Sequence, residues 1–183
     1  MRLGTLEFVS VREHLDLVAV PVADALASHA GSDTVGVAQI DSALSDTAGF
    51  CEHYRIGSEL AANCVIVEGK RGEERKMVAC IILATTRADV NGIVRSFLDA
   101  KKVSFAQMEK AVEESKMEFG AITPIGLPVD WPILIDKAVA DSDYVIIGSG
   151  IRGSKLAVPG SFLASLPNAH VIDGLGQARQ QQL

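Results

Sequence analysis

The chain has 183 residues, a net charge of −6, 48% hydrophobic residues and 22% charged residues. These proportions exclude a largely disordered protein, whose signature is low hydrophobicity with high charge. No apolar run approaches the roughly 18 residues of a membrane-spanning helix, and residues 1–11 lack the layout of a signal peptide. The expectation is therefore one cytoplasmic domain over 1–183, with no membrane partner. Cys51, Cys64 and Cys80 are an odd, sparse set. They read as buried thiols rather than a disulfide framework or a zinc site. Residues 70–102 carry eight Lys/Arg against four acids, a local basic face on an acidic body. From charge alone these read first as ordinary solvated loop and helix charges, and otherwise as a face for one end of a nucleic acid; the net charge argues against nonspecific coating.

Residues 3–11 alternate loosely and predict a strand. Pro21 suits the first turn of a helix over 22–30, which Gly31 stops. Residues 35–41 predict a strand, 46–54 a short helix and 58–62 a further helical turn. Residues 63–68 and 76–85 are rich in Val, Ile and Leu, and the polar, glycine-containing stretch between them predicts a hairpin. Over 89–100, Val90, Ile93, Val94, Phe97 and Leu98 fall on one helical face, with Asp89 placed to cap. A strand over 102–105 and a helix over 106–117 follow. Residues 118–132 hold three prolines and two glycines and predict a long, stiffened loop, the kind that carries function. Strands at 133–136 and 144–147 flank a short helix. Strands at 155–158 and 170–173 come last, and 174–183 reads as a frayed tail.

Gly148-Ser-Gly-Ile-Arg-Gly153 matches the G-x-G-x-x-G pattern of dinucleotide sites, with Asp173 at a suitable distance. The context is wrong, however. Pro159 and Gly160 fall where the phosphate-binding helix would run, and 155–158 reads as strand. Too little chain follows Asp173 to complete a Rossmann sheet. The glycines therefore read as a hairpin turn. No G-x-S-x-G elbow occurs, and His14, His29, His53 and His170 are scattered without ligand spacing. No cofactor or metal is expected. Asp136, ending a strand beside the long loop, is either a site residue or a turn cap.

Four segments, in order, resemble the YbaK family, free-standing relatives of the editing domain of bacterial prolyl-tRNA synthetase. They are Asn63-Cys-Val-Ile-Val-Glu68 with its hairpin, Gly120-Ala-Ile-Thr-Pro-Ile-Gly126, Ile133-Leu-Ile-Asp136 and Gly148-Ser-Gly-Ile-Arg-Gly-Ser-Lys155. The resemblance spans about residues 20–173. It implies an α+β fold with a mixed, strongly curved β-sheet flanked by helices. It also implies hydrolysis of the ester between a wrong amino acid and tRNA, with a charged tRNA acceptor end as partner and a synthetase as a possible second one.

An aminoacyl ester is already activated, so the site must hold the terminal adenosine, fix the carbonyl and admit water. On the resemblance, the catalytic candidates are Asn63 and the loop residues Gly120, Ala121, Ile122, Thr123, Pro124 and Gly126; backbone N–H groups of the loop can face a developing oxyanion, and Pro124, which has none, stiffens it. Gly148, Ser149 and Gly150 would form the opposite wall, with Arg152 or Lys155 near phosphate and Asp136 a further substrate contact. One position departs from the family. Asn63 stands where a lysine is usual, and an amide can donate a hydrogen bond but brings no charge. Arg87 is the candidate to supply the missing cation. The reading is a trans-acting aminoacyl-tRNA deacylase, with a noncatalytic module binding aminoacyl-tRNA or a synthetase as the alternative.

Overall fold

A computed structural model of the protein describes residues 1–178. The chain opens with three short strands, β1 (Arg2–Leu3), β2 (Leu6–Glu7) and β3 (Val9–Ser10), in place of the single strand predicted. Helix α1 (Val20–Ser28) carries Pro21 in its first turn, where a missing N–H costs no helical bond. Strand β4 (Gly36–Gln39) precedes α2 (Thr47–Tyr54), which Asp46 caps by accepting from Gly49 N at 2.9 Å. Strands β5 (Ala62–Arg71) and β6 (Glu74–Leu83) form a hairpin paired out to Arg71 and Glu74. It is longer than predicted because Gly72, at φ 61°, closes a tight turn.

After β7 (Thr86–Ala88), the helix predicted over 89–100 is the main departure. Asp89 does cap it, accepting from Gly92 N and Ile93 N, but Val90–Val94 is a π-turn and only α3 (Arg95–Phe97) is α-helical. Asn91 and Gly92 are weak helix formers at the point of widening. The apolar stripe still serves, for Val94 and Leu98 are buried with Val90 and Ile93 beside them. The chain continues through β8 (Lys102–Phe105), α4 (Met108–Ser115), β9 (Ile133–Asp136) and α5 (Lys137–Ala140). It ends with β10 (Val145–Gly148), β11 (Ser154–Val158), α6 (Gly160–Ala164), β12 (Ala169–Ile172) and β13 (Gly176–Ala178).

The tail expected to fray over 174–183 is built into the fold as far as it is described. β13 pairs antiparallel with β7, setting Gln177 opposite Arg87, and Leu175 is fully buried. Residues 179–183 lie outside the described residues.

The mixed sheet has five strands in the order β12-β9-β6-β5-β8. β9 runs parallel to both β6 and β12, and the other neighbours are antiparallel. A second, four-stranded antiparallel sheet has the order β10-β11-β4-β3. One parallel bridge, Ala61 to Ile146, ties the sheets together. Side-chain alternation then sorts the apolar residues. Ile66, Ala79, Ile81, Ile133 and Ile135 face a central core shared with Val37, Leu156 and Ile147 of the second sheet and with α1. Val78, Cys80, Ile82 and Leu134 face the other way, onto the 90–98 turn and Leu175. Ala38, Ala157 and Ile146 meet Phe50 on the far side of the second sheet. No helix among the described residues is long and apolar enough to cross a membrane.

Candidate functional site

The register of β5 creates the site. On the edge away from β6, β8 pairs only with Val67, Gly69 and their neighbours from 67 to 70. Ile66 O still accepts from Ala106 N at 2.9 Å, and Ala61 bridges to Ile146, so residues 63–65 present an open strand edge, and a cavity of about 470 Å³ lies against it. An open edge offers backbone donors and acceptors to whatever docks there. It also lets consecutive residues, Asn63, Cys64 and Val65, line one cavity although their side chains alternate. Ser45, Asp46 and Thr47 at the start of α2 form one side, Gly120 and Ile122 another, and Gly148 and Lys155 a third. Phe105 and Phe119, 69% and 58% exposed, and Met108 complete the lining.

Two glycine-rich segments are hydrogen-bonded to each other to make this wall. Glu118 N donates to Gly150 O at 2.8 Å, and Gly150 N donates to Ala121 O at 2.8 Å. The Glu118 carboxylate in turn accepts from Arg152 N at 2.6 Å. The approach is so close that a Cβ on Gly148 would stand 2.4 Å from Ala121 O.

The cavity contains a cation, and it is Lys155. Gly148 and Lys155 are register partners across the β10–β11 hairpin. Lys155 is only 7% exposed, yet its Nζ donates to Ser45 O at 2.8 Å and stands 5.3 Å from the centre of the Phe50 ring. Burial lowers its pKa from the ordinary lysine value, opposed by the charge interactions with Cys51 and Asp46. Asn63 lines the same cavity and is held by Thr47, whose hydroxyl donates to Asn63 Oδ1 at 2.7 Å. That bond leaves the amide N–H₂ group of Asn63 as the donor to the cavity. Cys64 is no nucleophile here, since burial pushes its thiol pKa up and keeps it protonated.

The predicted residues divide sharply. Asn63, Gly120, Ile122, Gly148 and Lys155 share the cavity. Ala121 is buried behind it, and Thr123 is fully buried with its hydroxyl unpartnered among the described residues. Pro124 and Gly126 line a different pocket, of about 320 Å³, with His29 and Trp131. Ser149 is fully buried, bonded to Ile151 O and Ser154 O, both at 3.0 Å. Gly150 packs on Ala19, 2.4 Å from where its Cβ would be. Arg152 is exposed and its guanidinium donates to Ser42 O. Asp136 is buried at the far end of β9, against Gly176. Arg87 lines another cavity.

Sequence reasoning missed Ser45, Asp46 and Thr47, and it assigned Lys155 to phosphate rather than to the cavity floor. The first three had a signal, an Asp-Thr helix start, but a capping pair looks the same whether or not a cavity adjoins it. Among the described residues no group of three or more His, Cys, Asp or Glu could hold a metal ion.

Residues 41–165 match the family model of the aminoacyl-tRNA editing domain, and the chain belongs to that family. This is the YbaK family of the four segments, matched over a narrower span than 20–173. No curated protein matches the sequence. A crystal structure described as that of "a putative trans-editing enzyme for prolyl tRNA synthetase" shares the fold with a TM-score of 0.72 at 16% identity, over 86% of this chain and 96% of that one. A structure from work on epitope backbone grafting onto scaffold proteins gives 0.72 at 16% identity, over 87% and 97%. A hypothetical protein gives 0.69 at 17% identity, over 79% and 92%.

Proposed function

We propose that this protein is a trans-acting aminoacyl-tRNA deacylase and that the cavity along the open edge of β5 is its hydrolytic site. The observation that carries the reading is the presence in one cavity of Lys155, with its buried ammonium, and Asn63, with its positioned amide. The family's usual lysine is absent from β5, and a lysine from the second sheet brings positive charge to the same space.

Hydrolysis consumes one water and one ester and yields a free amino acid and a tRNA hydroxyl. The protein must favour the tetrahedral oxyanion over the flat ester. Lys155, whose side chain is buried at the cavity, stabilises that charge, and the effect of one such donor is about 3 kcal/mol in well-studied cases. The Asn63 amide N–H₂ directs the carbonyl or a ribose hydroxyl. Gly120, with open space where a Cβ would be, lets substrate approach the loop backbone. Asp46, at the cavity wall, can accept from the α-ammonium of the amino acid.

The test is release of amino acid from a panel of mischarged tRNAs. By likeness to a neighbour described as acting for prolyl tRNA synthetase, mischarged proline tRNAs are the first to try. Such substrates place the protein in the cytoplasm. Faster release than in buffer, lost in Lys155→Met, supports the reading. Tight binding of every charged tRNA with hydrolysis of none overturns it and selects a noncatalytic binding module, the reading Asn63 favours by withholding the family's charge.

A further inference from the structure

We propose that a second cavity, separated from the first by Phe105, holds the nucleotide preceding the terminal adenosine, its base stacked on Phe105 and its phosphate on Arg87. This rests on the reading of the first cavity as the aminoacyl-ester site. The argument follows strand β8, the edge strand of the mixed sheet. Lys102 begins it, register-paired with Lys70 of β5. Val103 and Ser104 line the second cavity, of about 450 Å³. Phe105 lines both cavities, and Ala106 lies in the first. Four successive positions, 103–106, thus pass through a nucleotide-sized space and past an aromatic ring to the ester site.

Chemistry supports that occupant. The end of a tRNA acceptor is single-stranded, and unpaired bases are bound by aromatic stacking plus cationic contacts to the backbone. Phe105 is 69% exposed and borders both hollows. Arg87 is exposed and makes no side-chain hydrogen bond or ion pair among the described residues. Asp89 is the carboxylate of this cavity, and it is turned onto Gly92 N and Ile93 N, at 3.0 and 3.2 Å. Arg87 serves the substrate here, one nucleotide away from the ester it was expected to face.

The experiment is a binding cycle with a microhelix RNA ending in CCA, uncharged, and the same RNA with an abasic penultimate residue. Wild type should lose about tenfold in affinity on the abasic RNA, the size of one base–aromatic stack. Phe105→Ala should lose the same factor on intact RNA and nothing further on abasic RNA, while Phe105→Tyr keeps the wild-type pattern. Arg87→Ala should lower the slope of log K against log salt by about 0.7, one phosphate contact on a single strand. Equal affinity of wild type for both RNAs, or losses that multiply in Phe105→Ala, overturns the stacking site. An unchanged salt slope overturns the role of Arg87. The cycle reads binding alone, so a wild type that shows the predicted cycle but hydrolyses no charged tRNA fails only the deacylase reading. A wild type that does not bind the microhelix overturns this proposal.

Discussion

Gly120 and Gly126 sit six positions apart in one motif and share a backbone conformation, φ 78° and 79°. Their surroundings are opposite. A Cβ on Gly120 would meet nothing within 4 Å, whereas one on Gly126 would stand 2.2 Å from the carbonyl oxygen of Pro21. The first glycine borders the cavity and keeps it open. The second lets the loop lie on the first turn of α1. A glycine-rich motif thus joins two jobs, and only the half before Thr123 reaches the site.

The sharpest test of that division is Gly126→Ala. A methyl group there combines left-handed strain of about 1–2 kcal/mol with overpacking of about 1–3 kcal/mol. Thermal melting should fall by roughly 10 °C, on the scale of 2–4 °C per kcal/mol for a chain of this size. The fraction that remains folded should hydrolyse ester at the wild-type rate. Normal stability with abolished activity would move Gly126 into the site and break the comparison.

Lys155→Met comes next and acts on function first. Activity should fall about 100-fold or more, as on removing one oxyanion donor. Stability supplies a second readout with a fixed sign. Lys155 titrates below its ordinary value, so between its lowered pKa and about 10.5 the unfolded chain binds more protons than the folded one. Its penalty is fully present below that window and is relieved as pH rises through it. Chemical denaturation from neutral pH toward 10.5 should therefore show wild type gaining relative to Lys155→Met. A constant difference would mean that Lys155 is as well solvated folded as unfolded.

These two residues also mark how far the sequence could be read. The hairpin of β5 and β6, the strands at 133–136 and 145–148 and the turn-like nature of Gly148–Gly153 were legible, because periodicity and glycine placement are local signals. The π-turn at Val90–Val94 was not, since periodicity reports a face and not the winding that presents it. Five cavity residues were legible through the family resemblance. The role of Lys155 was not, because its ammonium meets Ser45 across a separation of 110 residues. Ser149, Gly150 and Arg152 share its motif but serve packing or surface contacts, a distinction that lies in tertiary neighbours alone.

Asn63→Lys tests whether the cavity can accept the family's own charge. Lys155 already brings an ammonium to this space, and a second would be a like charge in a poorly hydrated place. Thr47 would also lose its acceptor. About a tenfold loss of deacylation is expected, with a similar loss in Asn63→Ala. Raised activity in Asn63→Lys would show that the two cations cooperate and that Asn63 is a weakened form of the family's site. Gly120→Ala should be milder in stability than Gly126→Ala, about 1–2 kcal/mol from the left-handed backbone alone, because the added methyl meets open space. Its effect should instead appear in deacylation, measured beside the melt, and a melt as damaged as that of Gly126→Ala would erase the contrast between the glycines.

Arg152→Ala carries the smallest expected effect and extends the comparison to the second glycine segment. Sequence spacing placed Arg152 near phosphate, in the same turn as Lys155. The folded turn sends the two side chains to different places, for Lys155 enters the cavity floor while Arg152 lies exposed across Ser42 O, at 3.3 and 3.1 Å from its two nitrogens. An exposed hydrogen bond of that kind contributes about 0.5–1.5 kcal/mol at most. The links between this turn and Glu118 run through backbone groups of the turn, Gly150 O and the Arg152 N–H, which alanine at 152 retains. The variant should therefore melt within a few degrees of wild type, hydrolyse ester at the same rate and bind microhelix RNA with an unchanged salt slope. A slope reduced by about 0.7 would return Arg152 to the phosphate path.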